Sequence, residues 1–265
     1  MSLELELRDL AVGVAREAGE LALRRRREGV HLAATKSSIA DIVTEADREV
    51  EELIRGRLTA ARPDDGFLGE ESGAGSGTSG ITWVVDPIDG TVNYAYGMPA
   101  YNVSIAAVRG APVPESWEAL AGAVHAPALG EIFTAARGHG AWVGETRLSV
   151  TSDTPAGALL ATGFGYDPAT HEGDLAAVRR AMSMARDLRR SGSAALDLAY
   201  VAAGRLDGYF ERGLQPWDLA AGALLVHEAG GVVTRHDVGS ARPLLIAAGP
   251  DVHASLLALL DQIRE

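Results

Sequence analysis

Trp83-Val-Val-Asp86-Pro-Ile-Asp89-Gly-Thr91-Val-Asn93 is the densest stretch of the 265-residue chain. Its first part is apolar and β-branched, which predicts a short buried strand from Ile81 to Val85. The strand ends in Asp86. Pro87 has no N–H to give to a ladder, so pairing should stop there. Asp89 follows, and Gly90-Thr91 opens a turn or short helix. Two carboxylates and a free helix N-terminus are thus expected at one strand end. Backbone N–H groups there suit a phosphate. Hard cations such as magnesium take carboxylate and carbonyl oxygens and often share their site with phosphate. Asp, Pro and Gly are also ordinary turn residues, so the stretch alone also reads as a capped, solvated turn.

Two further acidic positions extend the pattern. Gly69-Glu70-Glu71-Ser72 follows an expected strand at Phe67-Leu68-Gly69, and Gln215-Pro-Trp-Asp218 stands at a helix start. Carboxylates at strand ends and helix starts of a layered fold can converge on one crevice. Asp218 can cap its helix whether or not it also meets a metal.

Outward from these motifs, the chain opens with an amphipathic helix. Leu7, Leu10, Ala11, Val14, Ala18, Leu21 and Ala22 recur at helical spacing, with Gly29 as the expected stop. Thr44 caps a second helix, with Asp47 at the capping-box position and Val50, Leu53, Ile54 and Leu58 on its apolar face. Gly73-Ala-Gly-Ser-Gly-Thr-Ser-Gly80 reads as a flexible loop. From Tyr101 to Val143, apolar stretches alternate with Gly and Pro turns, as in an antiparallel meander. Beyond Thr151 the pattern predicts a strand at Leu159 to Thr162, helices over 173–186 and Ser193 to Ala203, and a strand from Leu206 to Glu211. A helix from Pro216 to Ala229, strands at Val232-Val233 and Leu244 to Ala248, and a last helix complete it. Such alternation marks a layered α/β unit. The expected organisation is an N-terminal α+β half, residues 1–150, and a C-terminal α/β half, residues 151–265.

Composition narrows the function classes. Apolar residues make up 47% and charged residues 23%, ordinary globular usage. No uncharged apolar run approaches the roughly 18 residues of a membrane span, so no membrane association is expected. The net charge of -12 argues against a nucleic-acid partner, which needs a basic face. An acidic protein can still take an anionic substrate where bound divalent cations invert the local field. There is no cysteine, which removes disulfides, thiolate metal sites and cysteine nucleophiles. The acidic Met-Ser-Leu-Glu-Leu-Glu start differs from a basic secretory signal. A cytoplasmic location is expected.

At this point the sequence resembles the inositol monophosphatase family, through motifs that recur in order. They are Lys36-Ser-Ser-Ile-Ala-Asp41-Ile-Val-Thr-Glu-Ala-Asp47, Gly69-Glu70-Glu71-Ser72 and the Trp83–Asn93 stretch, then Ser191-Gly192-Ser193-Ala194-Ala195 and Tyr209-Phe-Glu211. Trp217-Asp218-Leu-Ala-Ala-Gly222 and Glu228-Ala-Gly-Gly231 close the series. The resemblance covers nearly the whole chain, from about residue 5 to about 262. It implies a five-layered αβαβα sandwich of the inositol monophosphatase / fructose-1,6-bisphosphatase type, and a homodimer.

The resemblance also implies roles. Glu70, Asp86 and the Ile88 carbonyl would hold one magnesium, and Asp86, Asp89 and Asp218 a second. A third, weaker ion would touch Glu70. Thr91, hydrogen-bonded to Asp47, would help Glu70 activate the attacking water, while the Gly90 and Thr91 N–H groups bind phosphate. Gly192, Ser193, Ala194, Glu211 and Asp218 would line the sugar or inositol pocket, with Asp89 beside them. Lys36 would lie on a mobile strap over the metals. Lithium would inhibit. Two departures from the family pattern, Ile39 in place of a frequent proline and a short Gly-rich segment after Glu71, bear on the third ion. The implied chemistry agrees with residue-level reasoning, since two metals can generate hydroxide near neutral pH and phosphoryl transfer needs mainly positioning and charge neutralisation.

Other motifs carry less. Gly75-x-Gly77-x-x-Gly80 has the spacing of a dinucleotide fingerprint but precedes a strand instead of following one. Asp86-x-x-Asp89 differs from the Asp-x-Asp of aspartate-nucleophile phosphatases of the haloacid dehalogenase type. No histidine pair has metal-ligand spacing, and Ser191 and Ser193 lack a Gly-x-Ser-x-Gly elbow. The expected reaction is magnesium-dependent hydrolysis of a small phosphate ester, inositol 1-phosphate first. Fructose 1,6-bisphosphate, histidinol phosphate or another small phosphate ester is the alternative. A non-catalytic metal-binding or regulatory protein on this fold is the alternative of another class.

Overall fold

The computed structural model describes residues 1–30, 32–35, 42–236 and 242–260. Helix α1 (Leu3–Glu28) buries Leu7, Ala11, Val14, Ala18 and Leu21 and ends where the Gly29 N–H bonds the Arg25 carbonyl. The antiparallel pair β1 (Leu32–Thr35) and β2 (Ile42–Thr44) leads into α2 (Glu45–Ala61), capped by Thr44 and Asp47. Next come β3 (Gly66–Gly69), β4 (Gly73–Gly75), β5 (Ile81–Asp89) and α3 (Thr91–Tyr96). A meander follows: β6 (Asn102–Arg109), β7 (Glu118–Ala126), β8 (Glu131–Ala136), β9 (Ala141–Val143) and β10 (Thr146–Arg147). The remainder is β11 (Ala158–Thr162), α4 (His171–Ala181), β12 (Ala185–Arg189), α5 (Ala194–Ala202) and β13 (Gly208–Arg212). It ends with α6 (Pro216–Glu228), β14 (Val232–His236), β15 (Leu244–Ala248) and α7 (Pro250–Leu260).

Two large sheets organise these elements, in the orders β10-β9-β8-β7-β6-β5-β3-β4 and β12-β11-β13-β15-β14. Period-2 alternation sends neighbouring residues to opposite faces. Trp83, Val85, Ile105 and Ala107 pack against α1 and α2, whereas Val84, Ala106 and Val108 pack with α5 and α6. The same central layer meets the second sheet through Tyr209, Leu245 and Ala247. Phe210, Leu244, Ile246 and Ala248 face the other way, onto α4 and α7. The layers therefore run α1/α2, first sheet, α5/α6, second sheet, α4/α7, the five-layered αβαβα sandwich. With both faces of each sheet covered, the central strands read as continuous apolar runs. No helix among the described residues is long and apolar enough to cross a membrane.

Three local expectations need correction. Pro87 does not end its strand: β5 pairs with β6 at Asp86–Ser104 and again at Asp89–Asn102, with one extra residue bulged between. Within the stretch expected to be a loop over 73–80, Gly73–Gly75 pairs antiparallel with β3 as β4. Glycines have no side chain to hinder that approach. The helix expected over 173–186 stops at Ala181, and Ala185–Arg189 becomes β12, an edge strand parallel to β11. Ala, Leu and Arg favour helix locally, and tertiary pairing with β11 overrides that weak preference.

Candidate active site

A cavity of about 630 Å3 opens where β3, β5 and β13 end and where α3, α5 and α6 begin. The bulge in β5 explains why two aspartates three positions apart can share it. In regular strand they would face opposite ways; the extra residue at Pro87-Ile88 returns Asp89 to the side of Asp86. Both line the cavity and both are buried. Glu70 lines it from the end of β3, where its N–H bonds the Val85 carbonyl at 3.2 Å. Asp218 enters from the first turn of α6, with Gly192, Ser193 and Ala194 at the start of α5 and Glu211 on β13.

Each aspartate is held by the protein through defined bonds. Asp86 Oδ1 accepts the Ile88 N–H at 3.1 Å, and Asp218 Oδ2 accepts the Gln215 N–H at 2.7 Å as a helix cap. Asp89 Oδ2 accepts from Ser193 Oγ at 2.7 Å, Asn102 Nδ2 at 2.9 Å and the Ala195 N–H at 2.8 Å. Asp89 Oδ1 has one longer contact, 3.3 Å from the Ala194 N–H. Ser193 is itself buried, so its hydroxyl is chiefly a bracket on Asp89.

The electrostatics are those of like charges confined together. Burial, then the facing carboxylates Glu70, Asp89 and Asp218, hold the Asp86 carboxyl well above its ordinary range. Burial and then Asp89 do the same to Asp218, against the opposing Gln215 hydrogen bond. Burial raises Asp89 too, countered first by Ser193 and Asn102. Glu211 is pushed up to about 7 by burial, against the hydrogen bond donated by the Tyr209 hydroxyl.

Thr91 begins α3 after Gly90, whose φ of 92° is the left-handed conformation that glycine tolerates. A Cβ on Gly90 would also stand 2.9 Å from the Ala100 carbonyl and 3.3 Å from Ser193 Cβ. Thr91 Oγ1 lies 3.3 Å from Asp47 Oδ1 and 3.1 Å from the Ile88 carbonyl. Asp47 does not line the cavity; it is buried behind Thr91 and pushed up to about 7 by burial. Its Oδ2 accepts the Thr44 N–H at 2.8 Å and the Thr44 hydroxyl. Lys36, Ile39 and Asp41 lie outside the described residues.

The cavity also contains residues that motif reasoning passed over: Tyr166, Arg190, Arg242 and Asp197. Asp197 is 1% exposed, and burial lifts its carboxyl to about 8. It sits in the first turn of α5, where a lone acid looks like a solvated position that suits the helix N-terminus. Arg190 directly precedes the Ser191-Gly192 motif, a signal of place if not of role.

Its donors fit a hard divalent cation. They are oxygen atoms of carboxylates and one carbonyl, with no histidine among the lining residues described. Among the described residues no three acids or histidines are drawn together closely enough to enclose an ion as they stand. A bound divalent charge would offset the repulsion among these carboxylates.

The profile of the inositol monophosphatase family matches residues 4–265. The inositol-1-monophosphatase SuhB of Mycobacterium tuberculosis H37Rv is 42% identical over 97% of this chain and 93% of its own. A relative from Haemophilus influenzae, named Nus factor SuhB, is 42% identical over 88% of this chain and 86% of its own. The crystal structure of the extragenic suppressor protein suhB of Bartonella henselae superposes with a TM-score of 0.87 at 37% identity, covering 96% and 98% of the two chains.

Proposed function

The chain belongs to the inositol monophosphatase family and is a phosphoric monoester hydrolase, and we propose that it hydrolyses inositol 1-phosphate to inositol and phosphate with Mg2+ as its ion. The observation that carries the reading is the convergence of Glu70, Asp86, Asp89 and Asp218 on one cavity beside the Gly90-Thr91 turn. So many facing acids are costly to ionise together unless positive charge is supplied.

Glu70, Asp86, the Ile88 carbonyl, Asp89 and Asp218 would hold the magnesium ions, two or three per site. Bound magnesium would supply charge to the phosphate oxygens and make a neighbouring water more acidic. Thr91 and Glu70 would take the proton from the attacking water, with Asp47 fixing the Thr91 hydroxyl. The N–H groups of Gly90 and Thr91 would bind the phosphate. Gly192, Ala194 and Glu211 would receive the leaving alcohol, and Glu211 near a pKa of 7 can meet a hydroxyl as donor or acceptor. Two copies per assembly are expected from the resemblance.

A panel of inositol 1-phosphate, fructose 1,6-bisphosphate and histidinol phosphate with Mg2+, followed by phosphate release, tests this. Inositol 1-phosphate should give the highest kcat/KM. A higher value for either of the others reassigns the substrate. Absence of release from all of them would favour a partner-binding role, for which the name Nus factor of the Haemophilus relative gives the precedent.

A further inference from the structure

We propose that Glu51, which belongs to no motif described above, is a positioning residue that sets the orientation of Glu70. The inference rests on the role given to Glu70 under the proposed function. Glu51 lies one helical turn after Asp47 on α2 and is 3% exposed. Its Oε2 accepts the N–H of Glu71 at 2.8 Å. That N–H belongs to the peptide plane joining Glu70 to Glu71. The N–H on the other side of Glu70 is held by the Val85 carbonyl in the sheet. Glu70 is therefore gripped at both of its peptide groups, once by the ladder and once by a buried side chain, and the direction of its Cα–Cβ bond follows.

The backbone is shaped to admit that carboxylate. A Cβ on Gly69 would stand 2.3 Å from Glu51 Oε2, so only glycine leaves room for the approach. Arg55, one further turn along α2, donates to the Ser72 hydroxyl and lies 4.4 Å from the centre of the Phe67 ring. Asp47, Glu51 and Arg55 thus form one stripe at i, i+4 and i+8, holding Thr91, Glu71 and Ser72 in turn. The adjoining stripe, Val50, Ile54 and Leu58, is locked in the core. A single rigid helix therefore fixes the Glu70 turn relative to Thr91. A buried acid that receives a backbone N–H also avoids the cost of an orphaned donor, which anchors it there.

The test compares Glu51→Ala, Glu51→Gln and Glu51→Asp with the parent protein. It uses Mg2+ titration calorimetry, phosphate release, thermal melting, and hydrogen exchange at the Glu71 amide. Removing a group that orients a metal ligand costs roughly 10–100-fold in metal affinity, so Glu51→Ala should weaken Mg2+ binding by that order and lower kcat with substrate KM little changed. Glutamine still offers an oxygen to the same N–H and should stay within roughly threefold of the parent. Aspartate keeps the charge but retracts the acceptor, and should resemble alanine. If the alanine variant does not fold, the aspartate variant decides. A folded Glu51→Ala or Glu51→Asp with lowered melting temperature but unchanged Mg2+ affinity and kcat overturns the proposal, as does Glu51→Gln as damaged as the alanine variant. A parent protein that neither binds Mg2+ nor releases phosphate defeats the proposed function instead. The amide then judges Glu51: faster exchange at Glu71 in Glu51→Asp supports the positioning role, and equal exchange overturns it.

Discussion

Thr91 Oγ1 stands 3.3 Å from Asp47 Oδ1 and 3.1 Å from the Ile88 carbonyl, so a single hydroxyl proton is offered two acceptors. Asp47 is fixed by Thr44, so it does not follow Thr91 if the latter moves. Thr91 itself lines the cavity.

Thr91→Val should therefore lower kcat on the order of a hundredfold while keeping side-chain shape, and Thr91→Ser should recover most of it. Asp47→Asn can hold Thr91 less well but removes no cavity group, so on the order of tenfold is expected. Glu70→Gln, which loses a base and a ligand together, should cost the most. Steady-state kinetics beside circular dichroism rank the four. Thr91→Val at the parental rate would remove the hydroxyl from the mechanism.

Asp86→Asn should abolish turnover and leave the fold intact. Asp86 is buried and pushed up by burial and then by Glu70, Asp89, Asp218 and Asp47, so a neutral amide of the same shape relieves repulsion in the metal-free protein. The melting temperature without Mg2+ should stay level or rise. An amide could not supply the charge or the second carboxylate oxygen with which Asp86 would hold the ions. Melting curves and phosphate release check both halves. A folded variant with substantial activity would remove Asp86 from the ligand set.

These outcomes divide along what local sequence can carry. The Thr44–Asp47 cap, the run before Asp86 and the helical face of α1 depend on neighbours within a turn or a strand, and all are legible in the sequence. β12 is not, because Ala185–Arg189 acquires strand geometry only from β11, more than twenty residues away. Glu51 and Asp197 look like solvated helix positions until distant elements cover them. Asp86 and Asp89 are recognisable as a pair. The bulge that turns them to one side depends on pairing with Ser104 and Asn102. The approach of Ser193, Ala194 and Ala195 to Asp89 spans over a hundred residues, and only the order of the motifs hints at it.

The magnesium-free protein should lose stability as pH rises from about 4, where unfolded carboxyls titrate, to about 8, most plainly above about 6.5. Burial raises Asp47 and Glu211 to about 7 and Asp197 to about 8. A carboxyl whose folded pKa lies above its unfolded value favours the fold fully below the unfolded value, and that contribution is lost as pH climbs through the folded one. His253, which is buried, and the less covered His125 and His227, all lowered by desolvation, act in the opposite sense, but only below about 6.5 where the unfolded imidazole titrates. Differential scanning calorimetry in EDTA should show the fall, and Asp197→Asn should shrink its upper part. A level or rising melting temperature across that window would contradict the burial of these three acids as ionisable groups.

The last prediction separates direct attack by water from a covalent route through an aspartate. Asp89 Oδ2 already accepts three hydrogen bonds, from Ser193, Asn102 and Ala195, and Oδ1 accepts a fourth from Ala194. Donors on both oxygens withdraw the electron density that a nucleophile needs, and they hold the carboxylate so that it cannot swing onto a phosphorus atom. Asp86 is tied through Oδ1 to the Ile88 N–H within the β5 bulge. A carboxylate committed to a cation is a poorer nucleophile still. Thr91 and Glu70, in contrast, line the cavity where a water can lie beside them. Transfer should then occur in one in-line step, with no phospho-enzyme accumulating. Rapid quench with phosphorus-labelled substrate and borohydride trapping of any acyl phosphate gives the readout. The expected result is no labelled protein at any time point and inverted configuration at a chiral phosphate. Label retained at Asp86 or Asp89, with overall retention of configuration, would overturn direct attack by water and make one of those aspartates the nucleophile.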